Sequence, residues 1–454
     1  MNGSMRVNHP RELQYTIQCS LDNVQYLLVT RRCDTRWYGH GVNSDEMTSS
    51  SGAMRPSRLG FLIPEFPQQT HIAWWRVSEG MRLAGVDVQL LSTRRSTESC
   101  PHLQLRRAAE RTIYLWPPSP QSLAVMLTAA PRLPAMARYL GLLKGYRGKQ
   151  RLKTLAFAFA ALRLLHISRL RQLDHVFIHS CADAAHVGAL CRVLGGPNYS
   201  LRLGGDLEVY GSDHEAKMAG ATLIVPAAQA HEPRLINEVG VAPKRVMWSW
   251  VGTDTDQFHP EANWIDHELL RIITVARLNP AKGYEFMVRA LALLRDRGLA
   301  FSYRIVGAGP FEPQIRQLVR EHGLERHVAL LGSRSTDEIA ELLRESDLFV
   351  LPTCGIGEGT PAAVCEAMSA GLPVVATRVG GLADMITEGV HGRLVPPRDV
   401  QALADAVASV AQDRTIGLRM GAAARAKALE EYDYRAVAKK ILGKISDLNR
   451  VKDT

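Results

Sequence analysis

The sequence predicts an α/β protein built from two doubly wound parallel sheets. Short apolar strands alternate with helices in two separate series, which is the pattern of parallel sheets covered on both faces. The first series begins at Leu59 and the second at Leu269. Glycine-rich turns follow several strands, and such sheets bind ligands outside the carboxyl ends of their strands. The 454 residues suffice for two or three domains.

The elements follow in order along the chain. The first series has predicted strands and helices in alternation, at 59–63, 71–84, 86–91, 175–179, 183–194 and 222–225. The second series does the same, at 269–276, 284–297, 302–307, 311–322, 327–332, 335–345, 347–352 and 373–377. A further helix is predicted between Thr360 as the N-cap and Gly371 just past the end, with Pro361 as its first residue.

Charge and cysteine content limit the class of protein. A net charge of +10 and a pI near 9.3 favour an anionic partner: a nucleotide, a nucleic acid or an anionic lipid surface. None of the seven cysteines forms a CxxC pair, which favours reduced thiols in the cytoplasm over a disulfide framework or a zinc site. No signal peptide or transmembrane stretch is evident.

The positive charge is concentrated between Glu110 and Asp174. This span contains no Asp or Glu and carries eleven Lys and Arg residues, interleaved with apolar runs such as "LAFAFAALRLL". Such a segment suits docking on an anionic bilayer, and it equally suits a buried helix with solvated arginines. A nucleic-acid groove is a further interpretation of the charge, but the sequence contains no known nucleic-acid recognition motif. We therefore expect no nucleic-acid partner.

Two carboxylates stand in "GIGEGTPAAVCEAMSAGLPVVATRVGG". Glu366 is the only charge in a helix that is apolar all round, where an unpartnered carboxylate is costly. Glu358 lies among glycines near the amino end of that helix, where N–H groups favour anions. The pair could accept hydroxyl groups of a ligand, or Glu358 could follow a charge preference and Glu366 form a salt bridge. The residues alone leave both interpretations open.

Two turns after predicted strands could hold phosphate. In "VARLNPAKG", Arg277 and Lys282 place two cations at the carboxyl end of a strand, which suits a diphosphate, although two exposed surface charges are the alternative. In "VGAGPFE", Gly309 is followed by Pro310, and Glu312 stands where the dinucleotide fingerprint has its third glycine. The turn therefore fails the dinucleotide fingerprint and argues against a nicotinamide enzyme.

Together these segments resemble the retaining nucleotide-sugar glycosyltransferases of family GT4, which have the GT-B fold. The resemblance covers residues 54 to 447 and is most specific in the E-x7-E motif of Glu358 and Glu366. The Arg277–Lys282 turn, "VGAGP", the linker-like "VGTDTDQFHP" and the closing "YDYRAVAKKILGKI" follow in family order. The "DTD" inside that linker is interpreted as structural and not as a metal motif.

The resemblance implies a role for each residue of the site. Glu358 would contact donor-sugar hydroxyls, and Glu366 the ribose. The N–H groups of Gly359 and Thr360 would help to hold the diphosphate, as would Arg277 and Lys282, which would neutralise the leaving group. The donor site would also include Gly309. It would include Arg334 as well, in the loop "GSRS", which would lie near the base. No metal or other cofactor is expected.

The match weakens in the first domain. Val77 stands where many family members have a glutamate, and Gly204 where many have a histidine, which leaves Asp206 as the nearest polar group of that loop. Further first-domain candidates of lower rank are His71, His179, Asp183 and His186.

The resemblance also divides the chain. We expect an extension with little fixed structure at 1–53 (a regulatory arm being the alternative), with Met54 as the functional start. An acceptor-side domain would span 54–250 with a returning helix at 433–447, and a nucleotide-sugar domain 251–432. The expected function is transfer of a sugar to a lipid-linked polysaccharide acceptor, by a cytoplasmic protein bound peripherally to the inner membrane face. The alternative is a GT-B protein that binds nucleotide sugar but performs other chemistry, such as epimerisation, or has lost activity.

Overall fold

The computed structural model describes residues 56–98, 100, 102–146, 148–205, 207–226, 228–260, 269–355 and 359–450. The proposed extension at 1–53, Asp206 and Glu358 lie outside the described residues. Two parallel six-stranded sheets organise the rest. We call residues 56–250 the first lobe and residues 269–432 the second lobe.

The first lobe is built on a sheet with the order β3-β2-β1-β4-β5-β6. Its strands are β1 (Arg58–Phe66), β2 (Asp87–Arg95), β3 (Ile113–Tyr114), β4 (His175–Ile178), β5 (Asn198–Arg202) and β6 (Ile224–Val225). The α-helices of this lobe are α1 (Ile72–Leu83), α2 (Leu103–Glu110), α3 (Pro120–Ala129), α4 (Leu133–Leu142), α5 (Arg151–Arg171), α6 (Asp183–Val193), α7 (His214–Ala219) and α8 (Glu232–Asn237).

The second lobe repeats this topology with the order β12-β11-β10-β7-β8-β9. Its strands are β7 (Leu270–Val275), β8 (Phe301–Val306), β9 (Val328–Gly332), β10 (Leu348–Leu351), β11 (Val374–Thr377) and β12 (Gly392–Val395). Its helices, followed by the closing helix, are α9 (Tyr284–Asp296), α10 (Glu312–Glu321), α11 (Thr336–Arg344), α12 (Ala362–Ser369), α13 (Leu382–Met385), α14 (Val400–Gln412), α15 (Arg414–Lys427) and α16 (Tyr434–Arg450).

The strand order reverses once in each sheet. In the first lobe the reversal lies between β1 and β4, and in the second lobe between β7 and β10, which pair in parallel. In doubly wound sheets the crevice at this reversal is where ligands bind. The prediction of two doubly wound sheets is therefore confirmed, and it directs attention to the loops after β7 and β10.

The linker and the closing helix join the two lobes. Helix α16 packs on α1 so closely that a Cβ at Gly80 would lie 2.6 Å from the carbonyl oxygen of Tyr434. In the linker, Asp254 Oδ1 accepts the backbone N–H groups of residues 256 and 257, and Asp256 forms a 2.7 Å ion pair with Arg435 of α16. The "DTD" segment thus makes structural contacts, as interpreted from the sequence.

The basic span of the first lobe is mostly helical and only partly buried. From Phe157 to Ser168, helix α5 buries most of its side chains in the core, whereas its first turn exposes Arg151, Leu152 and Lys153. Leu152 is 71% exposed. The two interpretations of the span therefore apply to different parts of one helix: its middle is a core helix, and its beginning presents leucine and cations together.

One predicted helix start is wrong. Helix α12 begins at Ala362, and Pro361 is its N-cap with ψ 117°, an extended conformation. Thr360 therefore precedes the cap, and the N–H groups without a helical acceptor are those of Ala362 and Ala363. The predicted end is confirmed, because Gly371 follows the last turn with φ +75°.

Candidate donor site

The loop after β7 carries the two predicted cations. Arg277 follows the strand and is exposed, while Lys282 is half-buried at the end of a short 3-10 turn, Pro280–Lys282. Gly283 ends that turn with φ +73°, a conformation that glycine adopts without strain. The loop thus turns sharply at the carboxyl end of β7 and carries both cations at the sheet reversal.

The neighbouring loops are tied to this one through the backbone. Leu278 N donates to Ala308 O at 3.0 Å, and Cys354 N donates to Ala281 O at 2.8 Å. The loop that carries Gly309 therefore lies against one side of the cationic loop, and the loop leading to Gly359 lies against the other.

Glycine is required where these loops meet. A Cβ at Gly309 would lie 2.2 Å from Leu278 O, and one at Gly283 would lie 1.8 Å from Pro352 O. A Cβ at Gly381 would come equally close, 2.1 Å, to Gly359 O. The glycines of these turns thus allow the loops to pack on one another.

Arg334 lies on the next loop along the sheet. The end of β9 is joined to the β8 loop by a 2.9 Å bond from Gly307 N to Gly332 O. The guanidinium of Arg334 pairs with Glu338 at 3.2 Å, and Ser335 caps α11 with a capping box that includes Glu338. Arg334 therefore lies on a loop beside the candidate site, and its guanidinium is bound to Glu338 of α11.

Glu366 is buried within α12 and paired across the lobes. Its Oε1 lies 3.2 Å from Nη1 of Arg76 on α1, with the two side chains 8% and 4% exposed respectively. Burial raises the pKa of Glu366, and the Arg76 guanidinium acts against that shift. The salt-bridge interpretation of Glu366 is thus confirmed as a contact, and its role toward ribose stays a prediction.

Arg76 was not among the residues predicted from the sequence. It follows the unusual pair Trp74–Trp75 in an otherwise apolar first part of α1, next to Val77, which is buried. The available signal was charge complementarity: one cation in the apolar first part of α1, and one acid, Glu366, in the apolar helix α12. Their separation of 290 residues prevents any local pattern from pairing them.

Two of the candidates in the first lobe, His71 and His179, are buried and stack on opposite sides of Trp74. The His71 ring stacks on Trp74 at 4.5 Å, and Trp74 stacks on His179 at 4.0 Å. Burial lowers the pKa of His71 to about 4 and, with smaller effects from Arg202 and His71, lowers that of His179 as well. Within the described part of the chain neither ring nitrogen of His179 has a hydrogen-bond partner. Arg202, at the end of β5, is also buried, which lowers its pKa to about 10.

The remaining two first-lobe candidates have structural partners. Nδ1 of His186 lies 2.8 Å from the hydroxyl of Tyr139, and Asp183 accepts a 2.6 Å hydrogen bond from the hydroxyl of Tyr146. Gly204 is exposed, and its N–H donates to the Tyr210 hydroxyl at 2.5 Å. His186 and Asp183 of α6 therefore contact tyrosines of α4 and of the segment that follows it.

The fold belongs to a known class. The structure superimposes on Anabaena Alr3699/HepE in complex with UDP and glucose with a TM-score of 0.65, covering 86% of this chain and 100% of that one at 17% identity. At that identity the likeness shows the fold alone, and the fold is GT-B, as predicted.

The second lobe matches a particular family. Residues 270–413 match the family model described as Glycosyl transferases group 1. This range contains the loops after β7, β8 and β10 that form the candidate site. Residues 270–413 therefore resemble the glycosyl transferases group 1, in agreement with the resemblance found in the sequence of this part of the chain.

Two curated relatives match about half of the chain. The amylovoran biosynthesis glycosyltransferase AmsK of Erwinia amylovora is 32% identical over 240 residues, 51% of this chain and 59% of that protein. The putative colanic acid biosynthesis glycosyltransferase WcaL of Escherichia coli K12 is 33% identical over 210 residues, 45% of this chain and 52% of that protein. The matched segments thus span a little over half the length of these relatives.

Proposed function

We propose that this protein is a retaining glycosyltransferase that moves a hexosyl group from a nucleotide sugar to a growing, lipid-linked cell-surface polysaccharide. The observation that carries the proposal is the turn of Arg277 and Lys282 at the β7–β10 reversal, packed between two glycine loops. The names of AmsK and WcaL support polysaccharide synthesis, and the UDP bound in HepE supports a nucleotide-sugar donor.

The proposed chemistry begins with the leaving group. As the anomeric C–O bond breaks, negative charge develops on the diphosphate, and the cations of Arg277 and Lys282 neutralise it. The N–H groups of Ala362 and Ala363, with those of Gly359 and Thr360 before them, add donors at the amino end of α12. Since fixed cations supply this stabilisation, we propose that no divalent metal is required.

The other residues would orient the substrates. In this proposal Glu366 accepts hydroxyls of the ribose, and Glu358 accepts hydroxyls of the donor sugar. Gly309 would leave room for the nucleotide beside the cationic loop, and Arg334 would lie on the side of the base. Asp206, the nearest polar group of its loop, would take part in catalysis. The acceptor would approach the face that the diphosphate leaves, so the anomeric configuration would be retained.

The acceptor places the reaction at a membrane surface. No helix within the described ranges is long and apolar enough to cross a bilayer. We propose that the protein works in the cytoplasm and docks reversibly on the inner face of the membrane. The acid-free span 111–173 supports this proposal, because the beginning of α5 exposes Leu152 between Arg151 and Lys153.

A transfer assay tests the proposed function. The protein is incubated with a panel of UDP- and GDP-sugars and membrane-extracted lipid acceptor, with and without EDTA, beside Lys282→Ala as a control. We expect nucleoside diphosphate release and a product with retained configuration from one donor, unchanged by EDTA and lost in the variant. Absence of transfer and hydrolysis with every donor would contradict the proposal.

A second candidate function rests on Gly204. Because this loop has a glycine where many similar enzymes have a histidine, the protein could bind nucleotide sugar and perform other chemistry, such as epimerisation, or bind it without turnover. In the same assay this alternative predicts nucleotide-sugar binding, with either a new sugar epimer or no product.

A further inference from the structure

Arg76 of the first lobe contacts α12 and the linker directly, and it reaches α11 through Gln257. Its Nη1 contacts Oε1 of Glu366 at 3.2 Å, and its Nη2 donates to Oε1 of Gln257 in the linker at 2.7 Å. Its guanidinium also lies 5.2 Å from the centre of the Phe258 ring. Nε2 of Gln257 in turn donates to Oδ1 of Asp337 on α11 at 2.6 Å.

The buried ion pair is not explained by stability alone. Taking two charges out of water is costly, and a buried pair often stabilises a fold no more than apolar side chains of similar volume would. Such a pair does fix orientation, because each charged group has few alternatives in a buried place. The contact between Arg76 and Glu366 therefore determines which way the carboxylate points.

The carboxylate retains acceptor capacity. An ionised carboxylate has two oxygens with about four acceptor positions, and the bond from Arg76 occupies one of them. Arg76 holds Oε1 of Glu366 from the side of the first lobe. The free acceptor positions of the carboxylate therefore point in a fixed direction within the second lobe. A pre-oriented acceptor binds hydroxyl groups more tightly than one that must first be ordered.

We propose that Arg76 is a positioning residue for the nucleotide: it acts through Glu366, whose carboxylate it orients toward the ribose hydroxyls. This inference rests on the proposed function, in which Glu366 contacts ribose. Because Arg76 belongs to α1 of the first lobe, nucleotide binding in the second lobe depends on a first-lobe side chain. Gln257 and Asp337 extend the same network to the amino end of α11.

Calorimetric titration of UDP and GDP into single and double variants tests the proposal. Arg76→Met keeps the length and apolar volume of the side chain but frees the carboxylate, and we expect Kd to rise about 10-fold or more. Arg76→Lys keeps a cation for Glu366 and loses the bond to Gln257, so we expect most of the affinity to be retained. In Glu366→Gln, adding Arg76→Met should change Kd little, since both act through one contact.

A matched control separates orientation from stability. Arg271 at the start of β7 forms a 2.8 Å ion pair with Asp347, at the sheet edge opposite the candidate site. Arg271→Met should lower the melting temperature and leave the nucleotide Kd unchanged. In steady-state transfer assays, Arg76→Met should raise KM for the nucleotide sugar and leave kcat within about twofold.

The outcomes distinguish a positioning role of Arg76 from a purely structural one. A wild-type Kd in Arg76→Met, with only a lowered melting temperature, would overturn the inference and leave the proposed function intact. Additive effects of Arg76→Met and Glu366→Gln on Kd would overturn it as well. If Arg76→Met fails to fold, equal loss of affinity in Arg76→Lys and Glu366→Gln would contradict it. A wild-type protein that binds neither UDP nor GDP would overturn the proposed function and this inference together.

Discussion

In the proposed function, donor binding depends most directly on the two cations of the β7 loop. If Arg277 and Lys282 bind the diphosphate, replacing either by Ala removes a charge-assisted contact, and such contacts are worth roughly 1.5–3 kcal/mol each. We expect Kd for UDP or GDP to rise roughly 10- to 100-fold in either variant. The melting temperature without ligand should change little, which a thermal shift experiment measures. Unchanged affinity in both variants would remove these residues from the site.

The buried His71 makes stability depend on pH. Burial lowers its pKa from 6.5 to about 4, so the unfolded chain takes up the proton first as the pH falls. Stability from keeping the ring neutral is therefore present above pH 6.5 and is lost between 6.5 and about 4. This loss amounts to up to about 3 kcal/mol.

His71→Phe keeps the stacking on Trp74 and removes the titration. We expect urea unfolding to show a flatter decline of unfolding free energy below pH 6.5 in this variant than in the wild type. His259→Gln, at an exposed position of the linker, is the control and should follow the wild-type curve. Parallel curves for His71→Phe and wild type would show that the ring does not titrate on unfolding as described.

At the residue scale, sequence information was sufficient for local motifs and insufficient for contacts between lobes. Arg277, Lys282 and Gly309 follow strands directly, so their place at the carboxyl edge of the sheet could be predicted. The partner of Glu366 could not be predicted, because Arg76 lies in the other lobe and the arrangement of the two lobes brings the two side chains together. Likewise, the start of α12 moved by one residue because Pro361 is extended.

At the scale of elements, the site consists of three loops that pack on one another. Glycine is needed at position 283 for two reasons. Its φ is +73°, and a Cβ there would lie only 1.8 Å from Pro352 O. The packing of the cationic loop on the loop after β10 thus requires this glycine.

Gly283→Ala should therefore weaken both the fold and donor binding. Gly298→Ala is a matched control, because Gly298 has φ +80° but no atom within 4 Å of its ideal Cβ. The control should lose about 1 kcal/mol from backbone strain alone. We expect Gly283→Ala to lower the melting temperature further and to raise the nucleotide Kd, which Gly298→Ala should leave unchanged. Equal effects of the two variants would contradict the loop packing described.

The elements of the two predicted series were found, while several short strands and several helices outside those series were not predicted. Long apolar strands such as β1 and β7 carry a clear pattern and appear where predicted. Strands β3, β5 and β12 contain two to five residues of mixed polarity, and pairing with a neighbouring strand defines them more than their own sequence does. Helices α2 to α4 lie in a stretch where no alternation with strands indicated their bounds.

At the scale of the whole molecule, charge distribution relates the fold to the proposed membrane-bound acceptor. If the beginning of α5 docks on an anionic surface, wild-type protein should co-sediment with anionic vesicles at low salt. It should be released at about 1 M salt, where the Debye length is about 3 Å. Each cation near the surface contributes about 1 kcal/mol.

Charge reversal at the start of α5 tests this docking. Arg151→Glu with Lys153→Glu should reduce co-sedimentation and leave nucleotide binding unchanged. Lys144, Arg147 and Lys149, which belong to the same acid-free span, can be reversed to Glu in the same background. Arg320→Glu, an exposed position on α10 of the second lobe, is the control and should sediment like the wild type. Wild-type protein that ignores anionic vesicles at low ionic strength would contradict membrane docking.

We propose that the second lobe holds a nucleotide-sugar donor at the β7–β10 reversal, with its ribose on a carboxylate that the first lobe orients. A crystal structure of the protein with UDP or GDP, whichever raises the melting temperature more, tests this most directly. We expect the diphosphate within hydrogen-bond distance of Arg277 and Lys282, and a ribose hydroxyl on Glu366 with the Arg76 contact retained. A nucleotide bound elsewhere would contradict the proposed donor site. A nucleotide at this reversal with Glu366 turned away from the ribose would contradict the roles of Glu366 and Arg76.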